Sequence, residues 1–132
     1  MNYQQARVYL LDKPEAWEDF PFRLAVAVIK VGNKMFATLS GKDALASMNL
    51  KCDPHEAQIL RDIFPAVRPG YHMNKRHWNT VSLDGSVPTG ELQRMIDNSY
   101  ALVVSGMPRK QRQALEIRHG SSALYGETAT NR

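Results

Sequence analysis

The residues best suited to chemistry crowd into one stretch, Arg68-Pro69-Gly70-Tyr71-His72-Met73-Asn74-Lys75-Arg76-His77-Trp78-Asn79-Thr80. It holds three cations, two histidines, two aromatic rings and two asparagines in thirteen residues. Cations hold phosphates, and exposed rings stack on bases. A histidine pair can move protons or bind a metal. His72 and His77 stand five apart across a predicted turn. A zinc-type site needs a third protein ligand, and no nearby Cys, Asp or Glu offers one in sequence. Catalysis would need a carboxylate to orient a histidine, and Asp84 is the nearest. A purely structural role is the plain alternative: Tyr71 and Trp78 pack with their polar tips satisfied, and Asn74 shapes a turn.

Other chemistries find little support. Cys52 is the single cysteine, so neither an internal disulfide nor a cysteine-based zinc site can form. It precedes a predicted helix, whose field could lower its pKa; we read it as buried and inert. The chain has no Walker-type phosphate loop, no GxGxxG fingerprint and no GxSxG elbow. No catalytic residue, metal or cofactor is expected.

The charge distribution points to an anionic partner. The chain of 132 residues carries a net charge of +4. Residues 1–22 are net −2, residues 23–83 are net +5, residues 84–106 are net −2 and residues 107–132 are net +3. Positive charge therefore sits in the middle and the tail, a pattern that favours nucleic acid or an acidic ligand. A solvated surface with no partner is the bland reading of the same numbers. With 43% hydrophobic and 23% charged residues, the composition is that of a globular domain rather than a disordered chain. No apolar run reaches the ~18–20 residues of a membrane span. The opening MNYQQARVYLLDK lacks the pattern of a secretory signal. We expect a reducing, cytoplasmic setting.

Several elements must position the cluster. Asn2–Leu11 reads as a helix with Val8 and Leu11 on its apolar stripe. Residues 12–22 read as an acidic loop that pins Trp17, Phe20 and Phe22 onto the core. Leu24–Val31 and Lys34–Leu39 flank Gly32-Asn33, a hairpin signal. Ala46–Lys51 alternates, with Ala46, Met48 and Leu50 on one side and Ser47, Asn49 and Lys51 on the other. Asp53-Pro54-His55-Glu56 opens a helix capped by Asp53, with a stripe of Ala57, Leu60, Ile63 and Phe64. Val67–His72 is an edge or bulged strand because of Pro69 and Gly70. In the next strand, His77–Leu83, Trp78, Thr80 and Ser82 share one parity. Should the two wet faces coincide, the sheet shows a polar, cationic surface bearing a tryptophan. A helix over 88–104 carries Leu92, Met95, Ile96, Ser99 and Leu102 on one face.

Short connections force antiparallel pairing. The expected class is α+β, in the order α-βββ-α-ββ-α, with helices on one face of an antiparallel sheet. Residues 1–112 form a single domain, and residues 113–132 a basic, flexible tail.

Four segments carry a family resemblance: Ser47-Met48-Asn49-Leu50-Lys51-Cys52-Asp53-Pro54, Gly70 through Val81, Leu83-Asp84-Gly85-Ser86-Val87-Pro88, and Asn98-Ser99-Tyr100. From about residue 3 to residue 112 the chain resembles the MmcQ/YjbR family of small bacterial proteins. Met73 stands where leucine is usual, and Thr89-Gly90 replaces a usual acidic pair. The resemblance implies a frataxin-like (CyaY-like) fold, also described as a double wing, and a DNA-binding role. Frataxin iron chemistry does not carry over, because the first helix reads Gln4-Gln5-Ala6-Arg7 and offers no acidic ridge.

Two functions are expected to compete. The first is a monomeric, non-catalytic DNA-binding module. Lys51, Arg68, Lys75 and Arg76 would neutralise phosphates, and His72, Asn74, His77 and Trp78 would complete the surface. The second is a protein or enzyme for a small anionic metabolite that uses His72, Lys75, Arg76 and His77 as a clamp. A broad stripe that takes in Arg109, Lys110 and Arg112 favours the first; a closed pocket around His72 and His77 favours the second.

Overall fold

The computed structural model describes residues 1–22 and 25–126. Its elements are α1 (Tyr3–Leu11), β1 (Ala16–Asp19), β2 (Val26–Val31), β3 (Lys34–Ser40), β4 (Ser47–Lys51), α2 (Pro54–Ile63), β5 (Val67–Pro69), β6 (Trp78–Ser82), α3 (Thr89–Ser105), α4 (Arg109–His119) and α5 (Ser121–Tyr125). A 3-10 turn, Asp43–Leu45, precedes β4. The strands form one six-stranded sheet in the order β1-β2-β3-β4-β6-β5, and every pairing is antiparallel. The α+β class follows from the sequence pattern as expected.

Helix starts follow cap chemistry. Asn2 and Gln5 form a capping box at α1, each side chain bonded to the other's backbone N–H. Asp53 Oδ2 accepts from the N–H groups of His55 and Glu56, with Pro54 in the first helical turn. Arg61 in turn joins α2 to β6, through Asn79. Tyr9 Oη donates to Asp97 at 2.9 Å, joining α1 to α3. The Phe36 and Tyr100 rings meet edge to face, 5.2 Å between centroids, joining α3 to β3. Helices α1, α2 and α3 thus lie on the side of the sheet that carries Ile29, Leu39, Met48, Leu50 and Val81, all buried.

The β2–β3 ladder shifts register at Ile29/Lys30, leaving Phe36 as an extra residue. The bulge puts Phe36 on the helix side and re-aims Met35 to the other face. It also leaves ladder groups to satisfy, and Ser99 satisfies them. Its fully buried hydroxyl accepts from Lys51 N–H at 2.8 Å and donates to Phe36 C=O at 2.6 Å.

Four expectations need correcting. First, residues 12–22 are not only a loop: Ala16–Asp19 forms edge strand β1, so the order gains a strand before α2. Ala-Trp-Glu-Asp has weak strand propensity of its own. Ion pairs hold it instead, Arg7 with Glu18 and Lys30 with Asp19, both at 2.8 Å. Second, Trp17, Phe20 and Phe22 are exposed rather than pinned onto the core. Third, the α1 stripe is Ala6 and Leu10, with Val8 exposed, and Ile63 of α2 and Leu102 of α3 also face outward. Fourth, the stretch from residue 113 is not a flexible tail through residue 126. It is helical in α4 and α5, anchored by buried Leu115 and Leu124. One buried residue per helix leaves too little periodicity to read. The last part of the expected tail, residues 127–132, lies outside the described residues.

Candidate nucleic-acid interface

No described helix packs on the second face of the sheet. Register assembles that face row by row. Ser47 pairs with Ser82, Asn49 with Thr80 and Lys51 with Trp78, so the two wet parities coincide. Arg68 of edge strand β5 pairs with Thr80, and Thr38 of β3 with Asn49. Along the same end of the sheet as Lys51 and Trp78, the bulge brings Met35 opposite Lys30, and Lys30 opposite Trp17. Two tryptophans therefore stand at opposite sides of one end of the face. They are four strand steps apart, about 19 Å at ordinary sheet spacing. Val28, Thr38 and Thr80 are buried, so the middle of the face is a floor below its longer neighbours.

The two sides of this face differ in charge. On the β1 side, Lys30 Nζ lies 5.1 Å above the Trp17 ring and bonds Asp19, which neutralises it. On the β5 side the cations have no carboxylate partner among the described residues. Arg68 donates to Ser82 Oγ at 2.7 Å. Lys75 Nζ donates to Gly70 C=O at 3.1 Å. Lys51 and Arg76 make no side-chain hydrogen bond or ion pair among the described residues. Lys51 is partly exposed, and Arg68, Lys75 and Arg76 are exposed.

The loop between β5 and β6 is held from below. Arg61 Nε donates to Asn79 Oδ1 at 2.7 Å, and its Nη2 donates to the carbonyls of Lys75 and Trp78. Asn74 Oδ1 accepts from Arg76 N–H, so Asn74 shapes the turn rather than offering itself to a ligand. Gly70 N–H donates to Trp78 C=O, and a side chain at Gly70 would collide with Trp78 and Met73, its Cβ within 3 Å of each. Tyr71 N–H donates to Thr80 Oγ1 at 2.9 Å, seating the loop on the open face. His72 adopts φ +59°, unusual for a residue with a side chain, and its ring lies 3.9 Å from that of Tyr71. His77 is partly exposed, and its side chain forms no hydrogen bond among the described residues.

Among the described residues, no group of three His, Cys, Asp or Glu side chains is placed to hold a metal. Asp84 is engaged by the N–H and Oγ of Ser86, at 2.9 and 2.6 Å, and these bonds hold its carboxyl below the usual range. It orients Ser86, not a histidine. Burial pushes the Cys52 thiol up from 9.0 to about 11, against the helix-field effect, so it stays protonated and inert at neutral pH. Five concavities among the described residues have linings that leave out His72, Lys75, Arg76 and His77.

Of the residues singled out from sequence, Lys51, Arg68 and Trp78 share the open face, and His72, Lys75, Arg76 and His77 belong to the loop at its edge. Arg61 and Tyr71 were absent from that set. Arg61 anchors the loop from the preceding helix, α2, and no spacing reveals it. Tyr71 sits inside the dense stretch, and its exposure of 69% is a tertiary fact. The tail cations Arg109 and Lys110 are exposed at the start of α4. That helix meets the sheet at the β2–β3 turn, where Met107 and Gln111 line one concavity with Gly32.

Comparison with known proteins agrees with this arrangement of elements. The chain is 33% identical over 115 residues to the uncharacterized protein YjbR of Escherichia coli strain K12, covering 87% of this chain and 98% of that one. It is 38% identical over 64 residues to the uncharacterized protein YyaQ of Bacillus subtilis strain 168, which covers 48% of this chain and 53% of that one. The crystal structure of Deinococcus radiodurans protein DR2400, a DUF419 domain, superposes with a TM-score of 0.80 at 35% identity, covering 86% of this chain and 87% of that one. A Pseudomonas syringae protein superposes with a TM-score of 0.69 at 31% identity, covering 78% of this chain and 99% of that one. Among the described residues no helix is long and apolar enough to cross a membrane. The YjbR family model matches residues 11–102, and with these relatives that match shows that the chain belongs to the YjbR family.

Proposed function

We infer that this protein is a non-catalytic, cytoplasmic DNA-binding module. It acts as a monomer through the β4-β6-β5 side of its open sheet face, in a CyaY-like, double-wing arrangement. One observation carries the reading. Lys51 stands opposite Trp78 on a face no described helix covers, and Arg68, Lys75 and Arg76 border it without carboxylate partners. Arg7, Lys13, Lys30, Arg94 and Arg118 are neutralised by acidic neighbours, whereas Lys34, Lys42 and the α4 cations Arg109, Lys110 and Arg112 have, among the described residues, no such partner either. An unbalanced positive edge beside an aromatic fits a phosphate backbone. Lys75 and Arg76 lie in a loop rather than on a groove-reading helix, so they contact phosphate and carry no base preference.

The test is a salt-series titration with duplex and single-stranded DNA, comparing the natural protein with Lys75→Ala/Arg76→Ala. Each lost contact lowers the slope of log K against log salt by about 0.9 for duplex and 0.7 for single strands. The double variant should therefore flatten the slope by roughly 1.4–1.8 units and weaken unrelated sequences equally. No DNA binding by the natural protein at low salt rejects the reading. An unchanged slope in the double variant moves the contact elsewhere, to α4 and its Arg109, Lys110 and Arg112.

A further inference from the structure

Nucleic acid offers two different surfaces to a protein, and the β5–β6 loop fits only one of them. A duplex hides its base faces in the stack, so an exposed ring finds only backbone and groove edges. Unpaired nucleotides expose a flat apolar face beside every phosphate. Tyr71 is 69% exposed, although an aromatic ring usually finds cover. It is not loose, because its N–H is fixed to Thr80 Oγ1 and its ring rests on His72, centroids 3.9 Å apart and planes inclined by 49°. The His72 backbone accepts φ +59° in this arrangement, a cost that over-determined functional loops tolerate. Phosphate-binding groups surround the pair. Lys75 Nζ sits on the carbonyl of Gly70, the residue before Tyr71, and Arg76 follows in the same loop. Arg68 lies across the ladder from Thr80, the residue that seats Tyr71. Trp78 stands two positions before Thr80 on the same face, facing Lys51. The helix nearest the cluster, α2, begins with Asp53 and Glu56, so its start repels phosphate and is no groove reader.

Resting on the nucleic-acid reading above, we propose that the occupant of this surface is an unpaired strand. One base stacks on the Tyr71–His72 pair and a second lies against Trp78, while Lys51, Arg68, Lys75 and Arg76 hold the intervening phosphates. Stacking needs only a π face, so the surface tolerates any sequence.

Fluorescence anisotropy with labelled oligo-dT, oligo-U and a hairpin duplex at one salt concentration tests it. The natural protein should bind the single strands more tightly than the duplex. Tyr71→Ala should weaken oligo-dT binding about 5- to 150-fold, equivalent to ~1–3 kcal/mol for one stacked base. Tyr71→Trp should keep it, and unchanged thermal melting in both variants shows an intact fold. Tighter binding of oligo-U than of oligo-dT also supports the proposal and identifies the strand as RNA. Duplex bound at least as tightly as oligo-dT, or single-strand affinity unchanged in Tyr71→Ala, overturns this proposal while the DNA reading stands. Loss of binding to all three probes in the natural protein overturns both.

Discussion

One set of strands builds two unlike surfaces. Toward the helices, Ile29, Leu39, Met48, Leu50 and Val81 are all at or below 2% exposure, and Phe36 meets Tyr100 ring to ring. Toward the other side, the same strands present Ser47, Asn49, Lys51, Trp78 and Thr80. Adjacent residues on one strand thus serve opposite ends, because strand side chains alternate. The division assigns consequences: substitutions facing the helices should cost stability, and substitutions facing outward should cost binding. A variant that reversed this assignment would break the account.

The largest expected loss is at Tyr100. It is fully buried, touches Phe36 and donates its hydroxyl to Pro14 C=O at 2.8 Å. Tyr100→Ala should lose about 3–5 kcal/mol in urea denaturation, and a loss below 1 kcal/mol would deny that the helix side holds the fold.

Ser99 sits where the two surfaces meet. Ser99→Ala orphans Phe36 C=O and Lys51 N–H and should cost roughly 1–3 kcal/mol. It should also raise hydrogen exchange at the Lys51 amide well above that of its neighbours. Unchanged protection there would show that Ser99 does not repair the bulge.

At the start of α2, Asp53→Ala should cost about 0.5–2 kcal/mol in thermal unfolding. Removing a cap should leave DNA affinity alone, and a matching loss of affinity would blur the two faces.

Alkaline pH probes the helix side through partly buried Tyr9 and buried Cys52. Burial, with Asp97 as hydrogen-bond partner, pushes Tyr9 from 10.0 up to about 12. Burial likewise pushes Cys52 from 9.0 up to about 11. Both folded pKa values are raised, so the folded state binds more protons than the unfolded one between those limits. The contribution is full below the unfolded values and is lost as pH climbs through the folded ones. Stability should hold to about pH 9 and fall between pH 9 and 12. Tyr9→Phe should reduce the part of that fall above pH 10, and an identical profile would sink the assignment.

The smallest effect on stability belongs outside. Lys75→Ala/Arg76→Ala should shift stability by no more than about 0.5 kcal/mol. Lys75 does contribute one bond to Gly70 C=O, which sets the sign of any small loss.

What sequence could show follows the same division. Alternation in Ser47–Lys51 and Trp78–Ser82 predicts one shared wet face, and the ladder joins them residue for residue. The cap at Asp53 and the turn at Gly32-Asn33 are local chemistry and equally legible, whereas Asn2 reads as the first residue of its helix and is in fact the cap. The bulge at Phe36 was not legible, because one extra residue changes the face of Met35 with no change in composition. Strand β1 exists through partners outside its own segment, Arg7 on α1 and Lys30 on β2. Arg61 supports the loop from a helix surface that reads as ordinary solvent-exposed charge. Local signals reveal which residues are chemically apt; tertiary bonds decide which become scaffold, as with Asn74 and Asn79, and which stay free.

The most direct measurement of the central claim is amide chemical-shift mapping of the protein titrated with DNA at low salt. The account predicts perturbations confined to Lys51, Arg68, the loop from Tyr71 to His77, Trp78 and Thr80, with α1 and α3 silent. Perturbations centred on Arg109, Lys110 and Arg112, or spread evenly over the helix side, would contradict it.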